Sequence, residues 1–375
     1  MPISPHSPKH IHVQIAEDLR NKIRDGFYKT NERLPPEIVL AESLGVSRGT
    51  IRQALQNLVE EGLLERIPGK GTFVTTPAAA IAGRLHRSRL VGMVVPSLRD
   101  KLSTDMIGGA EAALRQRGYS LVFCHSEHSV DIEKEQIQQL ITQNVRGIIL
   151  FPIASPEEAE MVHHLVSLGI AIVSIDRHIP GCFTPTVMSE NYQGAYLATK
   201  HLLDLGHQRV ACISNLTPAT SVSERIRGYE QAMRDANLLP YAPIPLLGKS
   251  TLEADSTPPV LSAEELKFVE HMLGVQKRPT GIFCINDFIA IGVMRYFLSK
   301  GVRIPEDIAI VGFDDSPFAS FAPVPLTTVA QFGAEIGRQA AEVLFAMLSG
   351  KPFAEETILL PTRLVVRSST IGAEQ

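Results

Sequence analysis

Two sets of residues in this 375-residue chain have types and spacings that suit recognition chemistry. Arg48 and Arg52, in "SRGTIRQALQNL", stand one helical turn apart, opposite the apolar Ile51, Leu55 and Leu58. An arginine fork so placed can grip guanine O6 and N7 or neutralise a phosphate. The second set is Phe151, Asp176-Arg177, Ser221, Arg225, Asn286-Asp287 and Gln331, at or near the ends of short apolar runs. Carboxylates and guanidinium forks there can pair with the adjacent hydroxyls of a sugar ring while balancing each other's charge. For each of them the alternative is a helix cap or an ion pair between lobes.

Turnover chemistry is not indicated. The chain has no H-E-x-x-H, its G-x-S-x-G match Gly45-Val46-Ser47-Arg48-Gly49 lies between two helical stretches rather than on the strand-to-helix turn of a nucleophile elbow, and "PGKGT" lacks the spacing of a phosphate-binding loop. His163, His164, His201 and His207 stand outside any ligand constellation and read as surface or capping residues. No catalytic residue, metal or cofactor is therefore expected.

The elements that carry the arginines are legible. Ile11, Ile15, Leu19 and Ile23 recur every four residues and predict a helix running out near Gly26. "PPEIVLAESLG" predicts a short second helix that begins at its prolines and stops at Gly45. Ser47 is a good N-cap for a third helix. Pro68-Gly69-Lys70-Gly71 followed by "TFV" reads as a tight hairpin that could lay Lys70 and bare amides against phosphates.

Beyond "TTPAAAIAGRLHRSR", a small and basic stretch, the pattern changes. Strand-like runs ("LVGMVVP", "YSLVFCH", "VRGIILFP", "AIVSIDR") alternate with helical stretches at 104–117, 131–143 and 156–168. A second series follows, with "VACIS", helix 221–236, "GIFCIN", helix 287–299 and "IAIVGFDD". That alternation predicts an α/β fold, a two-lobed doubly wound parallel-sheet domain whose ligand sits beyond the carboxyl ends of the strands. The expected domains are 1–75, a linker at 76–88, and 89–375, with lobe 1 at about 89–189 and 332–355 and lobe 2 at about 190–331 and 356–375.

Charge is uneven. Residues 1–75 hold ten Lys and Arg against nine Asp and Glu, residues 76–90 add Arg84, Arg87 and Arg89, and the remainder carries a net −8. This suits a polyanion-binding head on an acidic body. The apolar runs are far shorter than a membrane helix needs. "MPISPHSPKHIHVQ" has no signal-peptide pattern, so a cytoplasmic protein is expected. Cys124, Cys182, Cys212 and Cys284 are scattered and read as reduced, mostly buried thiols.

The first seventy-five residues resemble the winged helix-turn-helix of the GntR family. The likeness rests on Leu34-Pro35-x-Glu37, Leu40-Ala41, Val46-Ser47-Arg48-x-Thr50-x-Arg52-x-Ala54-Leu55, Gly62-Leu63 and Gly69-x-Gly71-Thr72. It implies that Ser47, Arg48, Thr50 and Arg52 contact DNA, assisted by Lys70 and Gly71 of the wing. Ile38 stands where many members have a backbone-touching Arg, and His12 where Tyr is usual.

Residues 89–372 resemble the effector domain of the LacI family, itself similar to periplasmic sugar-binding proteins. "SIDR", "HLLDLGHQRVACIS", "SVSERIRGYEQAM", "FCINDFIAIG", "KGVRIPEDIAIVGFDD" and "PLTTVAQ" carry this likeness in order. It implies Arg225, Asp287 and Asp176 or Arg177 as leading ligand contacts, with Ser221 and Gln331 behind them. Phe151, together with Ser103 and Asp105 of the first loop, completes the set.

The combination is similar to the arabinose-responsive repressors of Gram-positive bacteria. The expected function is a dimeric, ligand-responsive transcriptional repressor of carbohydrate-utilisation genes that releases double-stranded operator DNA on binding a monosaccharide. A regulator answering to a purine or other metabolite, or a corepressor system, is the alternative. A transport-associated sugar receptor and an enzyme stand behind both.

Overall fold

The structure is a computed structural model of the whole chain and describes residues 10–76, 88–153, 155, 157–215, 219–246, 261–274, 278–350 and 357–371. The expected linker falls almost wholly outside the described residues.

The head is built from α1 (Ile11–Arg24), α2 (Glu37–Leu44), α3 (Arg48–Glu60) and the antiparallel hairpin β1 (Leu64–Ile67) and β2 (Gly71–Val74). Ile15 and Leu19 are buried, while Ile11 at the end of the same stripe is exposed. The prolines precede α2 rather than opening it, since Pro36 is the N-cap and the helix begins at Glu37. Gly45 ends it in the left-handed conformation, φ 64°, which costs glycine nothing. Ile38 lies outside the core at 48% exposure, so buried Leu40 and Ala41, with Leu44 packed beside them, anchor α2. Ser47 caps α3 by accepting from the Thr50 amide at 3.1 Å. Ile51, Ala54, Leu55 and Leu58 then face Ile15, Leu19, Leu34, Leu64 and Val74 in one small core.

The body has two lobes. The first holds β3 (Leu90–Val95), α4 (Lys101–Gln116), β4 (Ser120–His125), α5 (Val130–Thr142), β5 (Gly147–Leu150), α6 (Glu158–Ser167), β6 (Ala171–Ile175) and β7 (Thr186–Ser189). The second holds α7 (Asn191–Asp204), β8 (Val210–Asn215), α8 (Thr220–Asp235), β9 (Ile244–Leu246), α9 (Ala263–Gly274), β10 (Gly281–Cys284), α10 (Asp287–Ser299), β11 (Ala309–Val311) and α11 (Pro317–Ser320). β12 (Thr328–Ala330) leads back to the first lobe's α12 (Gly333–Leu348) and β13 (Thr357–Leu360), and β14 (Arg363–Val365) pairs antiparallel with β12.

Strand order is β13-β7-β6-β5-β3-β4 in the six-stranded sheet and β11-β10-β8-β9 in the four-stranded one. The chain passes between lobes at Glu190, at 331–332 and at 361–362, and the first and third passages are joined by the Glu190 amide donating to the Leu360 carbonyl at 2.8 Å. One lobe boundary differs from expectation. Residues 357–360 pair in parallel with β7 and so belong to the first lobe, because their hydrogen-bond partners, not their place after α12, decide where they sit.

Each lobe has its own apolar core, Val91, Met93, Ile149, Val173 and Leu344 in one, Tyr229, Phe283, Phe297 and Ile310 in the other. In the first lobe α4 and α12 approach so closely that a Cβ on Gly337 would lie 1.9 Å from the Met106 carbonyl oxygen. Cys212 and Cys284 are buried, Cys124 and Cys182 half-buried, and all four are unpaired.

Candidate functional sites

On the head, α3 presents Arg48 and Arg52 side by side on the exposed surface, as the spacing predicts. The Ser47 and Thr50 hydroxyls are 2.8 Å apart at the start of the helix. Lys70 is exposed at the tip of the hairpin, and Gly71 follows with φ 118°. A Cβ at Gly71 would come within 2.6 Å of Arg33 Nε, so the missing side chain lets Arg33 lie against the wing. Arg52 donates from Nε and Nη2 to Glu37, both at 3.2 Å, and Arg66 of β1 donates to the other Glu37 oxygen at 2.9 Å. Arg33 and Arg66 were not singled out in the sequence, and Glu37 only as part of the motif that carries the GntR resemblance. Their signal is positional, since Arg66 belongs to the wing only once β1 is known to pair with β2.

In the body, the ends of β5, β6, β10 and β12 and the start of α8 bring most of the second set together. Asp176, 2% exposed and with φ 66°, accepts on Oδ2 from Arg177 Nε and from Ser221 Oγ, each at 3.2 Å, while its Oδ1 is buried without a partner. Arg177 lies over the Phe151 ring, 4.7 Å from its centroid. Arg225, one turn along α8 from Ser221, is 6% exposed and stacks 3.8 Å over Phe313. It donates from Nε to Asn191 at 2.8 Å and from Nη1 to the Ile285 carbonyl at 2.7 Å, and pairs with Asp314 at 3.5 Å. Gln331 completes the chain by donating from Nε2 to Asp314 at 2.8 Å, leaving its Oε1 buried and unpartnered.

Asp287 sits beneath this layer at 1% exposure. One oxygen accepts from the Thr328 hydroxyl and the other from the Ser316 amide at 2.6 Å, so both are satisfied within the protein. Burial pushes its carboxyl up to about 7. Desolvation at the cleft floor raises Asp314 to about 8, against the pull of Arg225 and with the push of Asp287.

The two residues of the first loop are placed differently. Ser103 is fully buried, and both its amide and its hydroxyl go to Asp100, the N-cap of α4, at 2.7 and 2.9 Å. Asp105 pairs with Lys101 along α4, in a groove of about 510 Å³ between α4 and α12. Of the lobe-facing cluster only Gln331 also lines that groove. Asn191, Asp314 and Asp100 were missed. Asp314 had a visible signal, the paired acids of "GFDD", whereas Asn191 meets Arg225 only through folding.

The histidines do structural work where they are paired, His201 with Thr370 at 2.9 Å and His207 with Thr280 at 3.1 Å. His163 and His164 are exposed. Among the described residues no group of acidic, His and Cys side chains could hold a metal ion, and no helix is long and apolar enough to cross a membrane.

This geometry has known counterparts. Residues 11–74 match the family model of bacterial regulatory proteins of the gntR family, and residues 199–370 match that of the periplasmic binding protein-like domain. An arabinose metabolism transcriptional repressor of Geobacillus stearothermophilus is 32% identical over 363 residues, covering 96% of this chain and 97% of that protein. The chain belongs to this family of transcriptional regulators, a GntR-type head joined to a LacI-type body. The HTH-type transcriptional repressor PurR of Vibrio atlanticus is 28% identical over 88% of this chain and 97% of its own length. Among solved structures, a periplasmic binding protein/LacI transcriptional regulator of Alkaliphilus metalliredigens, complexed with D-xylulofuranose, superposes with a TM-score of 0.62 at 25% identity. It covers 76% of this chain and all of the other. Family membership bears out the combination of the two halves that the sequence suggested.

Proposed function

We propose that this member of the family is a cytoplasmic repressor of carbohydrate-utilisation genes. Its head binds operator DNA through Ser47, Arg48, Thr50, Arg52, Lys70 and Gly71, and a neutral monosaccharide in the cleft releases it. The supporting observation is the pair of buried, unpartnered acceptors, Asp176 Oδ1 and Gln331 Oε1, beside the Arg225–Asp314 pair. A buried acceptor without a donor is costly, and a ring bearing several hydroxyls supplies donors to both. The rings of Phe151 and Phe313 each have one face covered by a guanidinium, which leaves less ring surface for stacking a flat base and favours a polyol over a purine.

Asp176 on one lobe and Ser221 and Arg225 on the other give the effector a hold on both lobes at once. A ligand moves a two-state protein only by binding one state more tightly, and contacts made from two lobes differ between open and closed clefts. Two chains acting together match the two-fold symmetry of a typical operator, and each half-site reinforces the other.

The test is a thermal-shift screen of monosaccharides and nucleobases, followed by operator binding with and without the hit. A sugar that raises the unfolding midpoint and weakens operator binding is the expected result. A nucleobase hit would transfer the cleft to the purine reading. A ligand that tightens DNA binding would make the system a corepressor one.

A further inference from the structure

One acidic residue of the head is set into its basic face. Glu37, in the first turn of α2, accepts Nε and Nη2 of Arg52 on one carboxylate oxygen and Nη2 of Arg66 on the other. A single carboxylate thereby links α2, the N-terminal half of α3 and the first strand of the wing. Glu37 is 22% exposed, whereas the side chains of Arg52 and Arg66 are 59% and 38% exposed, so both guanidinium groups still face solvent.

The bonding leaves a usable edge. A guanidinium has five N–H donors, and Arg52 commits to Glu37 only the Nε–H and one hydrogen of Nη2. The opposite edge, Nη1 with the second Nη2 hydrogen, has the spacing for guanine O6 and N7. Fixing a long, rotamer-rich side chain before docking removes part of the entropy cost of binding. The carboxylate also halves the charge of the group, from +2 for two arginines to +1 for the triad, and it repels a phosphate brought close. Exposed ion pairs contribute little to stability, so a stabilising role does not account for the arrangement.

We propose that Glu37 is a specificity-determining positioning residue: it holds Arg52 and Arg66 as one array for reading base edges and disfavours their use as general phosphate contacts. The inference rests on the reading of the head as a DNA-binding module.

The experiment uses the full chain, a duplex selected by the wild type from a random pool, and a scrambled duplex of equal length, across a salt titration. Glu37→Gln is expected to bind the scrambled duplex as tightly as wild type or more so, with a steeper salt dependence. It is expected to lose about tenfold in its preference for the selected duplex, with an unchanged unfolding midpoint. Glu42→Gln, which removes the same charge from an exposed position on the same helix, is expected to keep the wild-type preference. If Glu37→Gln keeps that preference too, or if both variants lose it alike, Glu37 does not position the arginines, although the head still reads DNA. A parallel loss on both duplexes with a lowered midpoint would mean that Glu37 is structural, and again the proposal falls. Failure of the wild type to enrich any duplex would remove the DNA-binding reading and the inference together.

Discussion

Ser221 on the second lobe donates its hydroxyl to Asp176 on the first, at 3.2 Å, and the other oxygen of that carboxylate is buried with no partner. Next to this contact the His178 amide donates to Thr220 Oγ1 at 3.0 Å, so the start of α8 is held against the end of β6 by two bonds. An effector hydroxyl that reaches Asp176 Oδ1 removes the cost of an unsatisfied buried acceptor, about 1–3 kcal/mol. Asp176→Ala is therefore expected to weaken effector binding by that amount while leaving operator affinity without effector at the wild-type level. Calorimetric titration with the sugar found by screening decides it. Wild-type affinity in the variant would take Asp176 out of the site.

Arg52 and Lys70 are expected to fail in different ways. Arg52 offers a free guanidinium edge from the recognition-type helix, so Arg52→Ala should cost about 1–3 kcal/mol on operator DNA and relax sequence preference. Lys70 stands at the wing tip as a point charge, so Lys70→Ala should weaken binding to all duplexes and flatten the salt slope by about 0.9. Sugar binding should be unaffected in both. Salt titrations of operator and scrambled duplex separate the two patterns, and two variants that bind like wild type would refute this mode of docking.

The head was legible in the sequence because each of its signals is local. The Ser47 cap, the Ile51–Leu55–Leu58 stripe and the Gly69–Gly71 turn lie within a few residues of the features they determine. The lobe-crossing strands were not. β12 and β14 are three residues each and pair across more than thirty positions, too short to show a period and too far apart to show a turn. The same limit applies to the cleft. Arg225 stood out near the end of an apolar run and by the family resemblance, but its partners Asn191 and Asp314 are 34 and 89 residues away. Ser103 and Asp105 were drawn from a stretch read as a loop, but both lie in the first turns of α4, where one bonds to the helix cap Asp100 and the other pairs with Lys101 along the helix.

The α4–α12 contact makes a prediction about packing. A Cβ on Gly337 would sit 1.9 Å from the Met106 carbonyl oxygen and 2.9 Å from the Ala110 amide nitrogen, backbone atoms that can yield only if a helix shifts. Gly337→Ala should therefore destabilise the body by about 1–3 kcal/mol. Gly108, on α4, has nothing within 4 Å of its would-be Cβ, and Gly108→Ala should be neutral or stabilising by up to about 1 kcal/mol through helix propensity. Denaturant unfolding of the two variants gives the comparison. Equal midpoints would show that the helices are not in backbone contact at Gly337.

Stability should fall as the solution becomes alkaline, and one buried carboxyl should carry much of the change. Glu133 has no exposed surface, and burial, reinforced by Glu158 beside it, pushes its carboxyl up to about 9 from an ordinary 4.5. Asp287 and Asp314 are raised for the same first reason, to about 7 and about 8. Above an ordinary carboxylate pKa the unfolded chain has released these protons while the native state still holds them, so the native state binds more protons and loses stability with each rise in pH. That loss runs from roughly pH 4.5 up to the folded-state value of each group and then levels off. Glu133→Gln keeps the shape and cannot ionise, so its unfolding midpoint should decline less than that of the wild type between about pH 5 and 9, the gap widening toward the alkaline end. Thermal melts of both proteins without ligand across that range test the point. Parallel curves would mean that Glu133 is already ionised in the folded protein.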